Sequence, residues 1–392
     1  MKILYLHHGT ILGGAPISLM YLVREIERQS DLELEIASHA PAMRDFFALN
    51  LESTVKEWAN PITFLGKYLI GYIPLDSKRR VRLFLQSLVR FPPSVWRQYR
   101  ALRRAKPDLV HLNSAVMFSS ALAAWLAGIP IVWHVREPVQ GEQWKQRLSG
   151  LLIRSLAKRV ITISEVEASR LSQEKEHKKI NIVNNPLDFD KLRPGLYDAN
   201  VERKKLGVDP SCKLVVSLGG ATPRKGALEQ IQAMQHTDDS TRLLVAGPPL
   251  QPESQDEYHQ KLYQALSKLP SKKVQFTGII DDVAPLLAAC DLLLFTGMTP
   301  HFPRPVFEAW MMRKPVIVFD MEGVSNQVTH GVDGIIVKEL TGQALGEAIA
   351  ALLQDSEAVE AFGQAGRQKA EELCNPVVGA QKVLAIYQQI AG

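Results

Sequence analysis

The feature that most constrains the fold is an alternation carried through the whole chain: short β-branched or leucine-rich runs, each followed by a longer amphipathic stretch. Parallel strands need crossovers long enough to hold a helix, so the pattern predicts α/β layers with helices on both faces of the sheets. The alternation runs twice. The first series of predicted strands lies at residues 2–6, 32–38, 109–112, 129–134 and 160–164. The second lies at 214–218, 242–246, 274–277, 292–295, 315–319 and 334–337. Between them, Asn184-Asn185-Pro186-Leu187-Asp188 and Arg193-Pro194-Gly195 have the turn residues of a linker. A chain of 392 residues is long enough for two separate cores. The expected division is 1–192, 193–372 and a C-terminal helix at 373–392 that packs back on the first domain.

Composition narrows the class. A hydrophobic share of 46%, a charged share of 22% and a mean hydropathy of -0.05 describe a globular chain. The three cysteines, Cys212, Cys290 and Cys374, form no C-x-x-C pair, which fits a reducing cytoplasm better than a disulfide framework. The first residues lack the apolar core of a secretory signal and read as a strand. The most apolar stretch, 121–135, is broken by Gly128 and Pro130 and carries His134, so no membrane span is predicted.

Open parallel sheets bind ligands beyond the carboxyl ends of their strands, so two of them are expected to share a cleft there and to carry their chemistry on strand-to-helix loops. The first such loop, Gly9-Thr10-Ile11-Leu12-Gly13-Gly14-Ala15-Pro16, sets a glycine pair at a helix start, where backbone can approach an anion closely; a tight turn is the plainer alternative. The second domain opens with a strand and then Gly219-Gly220-Ala221-Thr222-Pro223-Arg224-Lys225-Gly226, where two adjacent cations suit a diphosphate or are merely solvated. A third loop leads to Val306-Phe307-Glu308, whose carboxylate can accept both hydroxyls of a ribose or serve only as a charge at the helix start. No Asp-x-Asp pair stands at a strand end to hold a divalent ion, and no metal requirement is expected.

Gly13-Gly14-Ala15, Lys106-Pro107-Asp108-Leu109-Val110-His111, Asn185-Pro186-Leu187-Asp188, Pro223-Arg224-Lys225-Gly226, Phe276-Thr277-Gly278, Phe307-Glu308-Ala309 and Gly331-Val332-Asp333-Gly334 occur in an order that resembles glycosyltransferase family 4 over nearly the whole chain. The resemblance implies a GT-B fold, two Rossmann-like domains facing across a cleft. It also implies retaining transfer from a nucleoside-diphosphate sugar, UDP or GDP, to a glycan, lipid-linked or small-molecule acceptor, without a further cofactor. Residue by residue, it implies that Lys225 meets the diphosphate, with Arg224 beside it, and that Glu308 meets the ribose. Gly13 and Gly14 then form the acceptor-side loop, and Gly278, Arg304 and Val306 belong to the nucleotide-sugar contacts. Arg136-Glu137 stands where many members of the family carry a catalytic His-Asp pair, and His134 lies two residues earlier on the same strand face as Arg136; His134 and Arg136 are the catalytic candidates there, a hydrogen-bonded core histidine being the plainer alternative for His134.

The chain departs from the family pattern at three points. Gly220 stands where an arginine is usual, Pro300 where the first glutamate of E-x7-E is usual, and Pro303 replaces a glycine and so offers no N–H. His301, Arg304, His134 and Arg136 are then the candidates for reading the donor sugar, with a preference for a carboxylate-bearing sugar as the corollary. These departures keep two alternatives open, a catalytically silent sugar or nucleotide-sugar binder and an NDP-sugar epimerase on the same fold.

The segment from Lys67 to Lys106 holds Lys78, Arg79, Arg80, Arg82, Arg90, Arg97, Arg100, Arg103 and Arg104, with Asp76 its only acid. Trp96, Tyr99 and Leu102 recur beside the arginines, and Phe64, Leu65, Tyr68, Leu69 and Ile70 supply an apolar neighbour. Such a surface suits anionic lipid headgroups at the inner face of a membrane, or is a helix packed on its own domain with a basic rim. Nucleic acid is not expected, because no reader motif accompanies the charge.

Overall fold

A computed structural model describes residues 1–59, 61–172, 178–250, 256–299 and 302–391. The chain forms two units, Met1–Pro186 together with Pro376–Gly392, and Leu187–Asn375. The first holds a parallel sheet of β1 (Lys2–His7), β2 (Glu33–Ser38), β3 (Thr54–Glu57), β4 (Leu109–Leu112), β5 (Ile131–Val135), β6 (Arg159–Thr162) and β7 (Ile180–Ile182). Their spatial order is β3-β2-β1-β4-β5-β6-β7, so the winding reverses between β1 and β4. Leu4, Leu6, Val110, Leu112, Trp133 and Val135 face one helical layer, while Ile3, Tyr5, Leu109 and Val132 face the other. Helices on both faces explain why these strands are apolar on both sides.

The C-terminal helix Pro376–Ala391 packs on helix Gly14–Gln29 and closes the second layer with Ala380, Val383, Ile386 and Tyr387.

The second unit repeats the plan with β8 (Lys213–Leu218), β9 (Thr241–Ala246), β10 (Val274–Gly278), β11 (Leu292–Phe295), β12 (Val316–Phe319) and β13 (Gly334–Val337), ordered β10-β9-β8-β11-β12-β13. Its reversal falls between β8 and β11. The reversals put the ends of β1 and β4, and of β8 and β11, at the positions where such sheets hold ligands. Each of the eleven strands expected from the sequence is present; β3 and β7 add an edge strand at each side of the first sheet. Among the described residues no helix is long and apolar enough to cross a membrane.

Candidate functional site

At the end of β8 the backbone turns through Gly219 and Gly220. Gly220 has φ +73°, and a Cβ there would lie 2.4 Å from the Pro248 carbonyl oxygen, so only glycine fits both the conformation and the space. An arginine at this position, the usual residue in the family, is therefore excluded by the local backbone. The stem of Lys225 fills the room that Gly219 leaves, its Cγ 2.6 Å from where a Cβ would be, and its Nζ lies 5.1 Å from the Phe295 ring centroid. Burial first, and then the Arg224 guanidinium, holds the Lys225 ammonium below its ordinary pKa.

The cations sit in a 3-10 turn, Pro223–Lys225, ahead of the left-handed Gly226 and the short helix Ala227–Ala233. The turn is tied to the end of β11: Thr296 Oγ1 donates to the Lys225 carbonyl at 2.7 Å, Gln230 Nε2 to the same carbonyl at 3.0 Å, and Met298 N to the Arg224 carbonyl at 2.9 Å. Arg224 itself is exposed.

Helix Arg304–Met311 starts two residues ahead of Val306, so Glu308 is its fifth residue and stands outside the first turn. Instead Arg304 occupies the first turn, and its Nε donates to Glu308 Oε1 at 2.7 Å, with both side chains largely buried. A cation in the first turn opposes the helix dipole, and basic-before-acidic is the weaker order for such a pair. Helix stability therefore does not explain this arrangement. Val306 is fully buried, Phe302 stacks on Phe307 at 4.9 Å, and Trp310 Nε1 donates to the Asp333 carbonyl at 2.8 Å, which fixes the helix to the turn before β13. Gly278, at the end of β10, has φ +76° and open space around it. Pro300 and His301 lie outside the described residues.

In the first unit the loop after β1 leaves Ile11 80% exposed, and Gly13 caps helix Gly14–Gln29 with an extended φ of -169°. A Cβ on Gly13 would meet nothing within 4 Å, so neither packing nor conformation requires glycine there. His134 is 1% exposed in β5, and it sits in a buried polar chain rather than on an open surface. Its Nδ1 lies 3.2 Å from His111 Nε2 and 3.5 Å from an Arg136 terminal nitrogen. His111 Nδ1 is 2.7 Å from the Tyr387 hydroxyl, itself 2.8 Å from that of Tyr5.

Arg136 follows the end of β5, on the same face as His134, and its Nε and NH1 donate to Asn113 Oδ1 and Asn185 Oδ1. Glu137 accepts from Ser114 Oγ at 2.6 Å and from the Ala115 amide at 2.8 Å. Desolvation pushes His111 down to about 3 and His134 well below its ordinary value, with Arg136 adding to both shifts, so each ring is neutral. His7, His111, Asn113, Asn185, Tyr5 and Tyr387 have no local signature as a group, because their partners stand up to 382 positions away.

The basic segment forms helices Phe64–Leu69 and Lys78–Ala105. Tyr68 lies tilted against Phe84 at 4.8 Å and Ile70 is fully buried with Leu69 packed on the same core, while Phe64, Leu65 and Tyr68 are half-buried. The exposed apolar side chains of the segment are instead Tyr72, Val81, Leu83, Leu85, Leu88 and Val89, together with Trp96. The second half of the long helix is seated by Gln98, which donates to Ser119 Oγ at 3.1 Å and accepts from Ser120 at 2.6 Å.

Comparison with known proteins agrees with this architecture. The family described as Glycosyltransferase Family 4 matches residues 12–191, and Glycosyl transferases group 1 matches 198–369. A galactosyltransferase of Escherichia coli, named UDP-Gal:alpha-D-GlcNAc-diphosphoundecaprenol alpha-1,3-galactosyltransferase, is 22% identical over 83% of this chain and 83% of its own length. A Campylobacter jejuni N,N'-diacetylbacillosaminyl-diphospho-undecaprenol alpha-1,3-N-acetylgalactosaminyltransferase is 25% identical over 48% of this chain and 47% of its own. Among solved structures, Anabaena HepE in complex with UDP and glucose superposes with a TM-score of 0.79 at 22% identity, covering 99% of this chain and 100% of that one. Two parallel-sheet Rossmann-like units of this kind define the GT-B fold. The chain belongs to glycosyltransferase family 4 and is a glycosyltransferase.

Proposed function

We propose that the protein transfers a sugar from a nucleoside-diphosphate donor, UDP first among the candidates, to a lipid-linked acceptor with retention of anomeric configuration. One observation carries the donor assignment: Lys225 lies half-buried beside Arg224 in a turn anchored to β11, where burial and the neighbouring cation lower its pKa and an anion is the partner that would oppose that shift. The C1–O bond to the diphosphate breaks while C1 bonds to the acceptor oxygen, and the acceptor proton passes to the departing phosphate or to water. Arg224 and Lys225 stabilise the negative charge that grows on the diphosphate, the task a divalent ion performs in other transferases.

Glu308, oriented by Arg304, keeps its second oxygen for the ribose hydroxyls, and Gly278 and Val306 line the nucleotide through backbone. Arg304 is thereby committed to Glu308, which weakens the idea that it reads a carboxylate-bearing sugar. Arg136, held after β5 by Asn113 and Asn185, is a cation of the first unit. The relatives named for diphosphoundecaprenol acceptors, the open Gly13-Gly14 loop with exposed Ile11 and Leu12, and Arg136 together support an acceptor with an anionic head and an apolar tail. The exposed face of helix Lys78–Ala105 then meets the anionic membrane surface in which such an acceptor resides.

Calorimetry tests the donor site. Lys225→Ala removes a charge-assisted contact of about 1.5–3 kcal/mol, and UDP affinity is expected to fall by roughly tenfold or more. Unchanged affinity would overturn the assignment. Retention is checked by the anomeric coupling of the product linkage in proton NMR, where inversion relative to the donor refutes it.

A further inference from the structure

We propose that helix Gln143–Leu156 is a second membrane-contacting element of the first unit, whose Trp144, Leu148 and Leu151 enter the headgroup level of an anionic leaflet. The proposal rests on the reading that helix Lys78–Ala105 meets such a surface, and it has observations of its own. A surface helix ordinarily turns its apolar stripe inward and polar residues outward. This one turns Ser149, Gly150 and Ile153 inward, while Trp144, Leu148 and Leu151, spaced for a single face, are all exposed, Leu151 by 55%. Arg147 is exposed among them. The unit's own core therefore does not account for these three apolar side chains.

Charge selects the partner. From Gln143 to Ser164 the chain holds Lys145, Arg147, Arg154, Lys158 and Arg159 and no Asp or Glu. Lys145 pairs with Glu142 at 3.3 Å, just ahead of the helix, and the stretch keeps an excess of positive charge. Trp and Leu on one face among basic residues suit a helix lying in an anionic lipid interface. A second copy of this chain would instead bring like charges to the same patch across a two-fold axis. A line of contacts joins this helix to the long one. The Tyr68 ring lies 4.8 Å from that of Phe84, and Lys145 Nζ stands 4.5 Å from the Tyr68 centroid and 5.4 Å from that of Trp144. A Cβ on Gly71 would fall 2.0 Å from the Gln140 carbonyl oxygen, so the turn that carries exposed Tyr72 is pressed against the chain just ahead of Trp144.

The test uses the full chain with vesicles of acyl-brominated phosphatidylcholine, alone or mixed with phosphatidylglycerol. The mixed vesicles are expected to quench tryptophan fluorescence, and Trp144→Phe should remove a measurable share of that quenching. Leu151→Asp should weaken vesicle affinity by roughly tenfold, the cost of withdrawing one leucine from an apolar environment. Binding with quenching unchanged in Trp144→Phe and affinity unchanged in Leu151→Asp overturns the proposal and leaves the long helix as the contact. A loss in Leu151→Asp beside an unaffected Val89→Asp supports this helix and removes the long one, so the two readings fail separately. Equal quenching by the neutral vesicles overturns the anionic partner, and absence of binding to either kind overturns both readings. A wild-type dimer that Leu151→Asp converts to a monomer in sedimentation overturns the proposal in favour of a second copy.

Discussion

Lys225 has its pKa lowered by the fold, and that makes its protonation a reporter of the donor. Its pKa is lowered in the free protein, by burial and then by Arg224, and a bound diphosphate would raise it again. Between those two values binding takes up a proton, so UDP affinity should fall as pH rises through the alkaline window below the ordinary lysine value. Calorimetric titrations in two buffers of different ionisation heat should give different apparent enthalpies there. Lys225→Arg, which cannot deprotonate, should abolish the difference, and equal enthalpies in the wild type would contradict the linkage. The strand-to-helix loops that carry Lys225 and Glu308 were legible because apolar strand, turn residues and helical period follow one another along the chain. Their neighbourhood was not legible: the partner of Glu308 depends on where its helix begins, and the surroundings of Arg136 are assembled from β1, β4, β5, the Asn185 turn and the last helix.

Among the elements, the long helix Lys78–Ala105 combines two surfaces. Its second half is held by Gln98, Val95 and Leu102, whereas its first half exposes Val81, Leu85 and Val89, the last at 77%, among Lys78, Arg79, Arg82 and Arg90. Attraction of about 1 kcal/mol per cation near an anionic surface, added to apolar insertion, predicts cosedimentation with anionic but not neutral vesicles. Salt should weaken it, and Val89→Asp should reduce it. Equal recovery with both vesicle types, or with neither, would count against this face. The strands inside the sheets were readable because burial on two sides demands apolar runs, and β10 and β13, at the edges of the second sheet, keep enough apolar residues to be read as well. The edge strands β3 (Thr-Val-Lys-Glu) and β7 (Ile-Asn-Ile) were not, since a short strand at a border needs little apolar surface. The same logic applies to Leu69 and Ile70: composition shows that they avoid water, and only packing shows that they do so inside the unit.

Across the whole molecule, the first unit is discontinuous in sequence, while the second runs unbroken from Leu187 to Asn375, with Leu187 N bonded to the Cys374 carbonyl at 3.1 Å. Removing residues 376–392 uncovers the core formed with Val383, Ile386 and Tyr387. At ~1.5–3 kcal/mol per large side chain, that loss approaches the whole stability of an ordinary domain. A chain ending at Asn375 should lose amide protection in β1 and β4 yet still bind UDP; retained protection would show that the helix is dispensable. The layout also sets a timetable for synthesis. The 189 residues of the second unit leave the ribosome before Pro376 does, about 10–40 s at typical rates, so the half begun first is finished last. Throughout that interval the face of Tyr5 and His111 waits for its covering helix, and the last helix of a neighbouring nascent chain is the competitor it has to avoid.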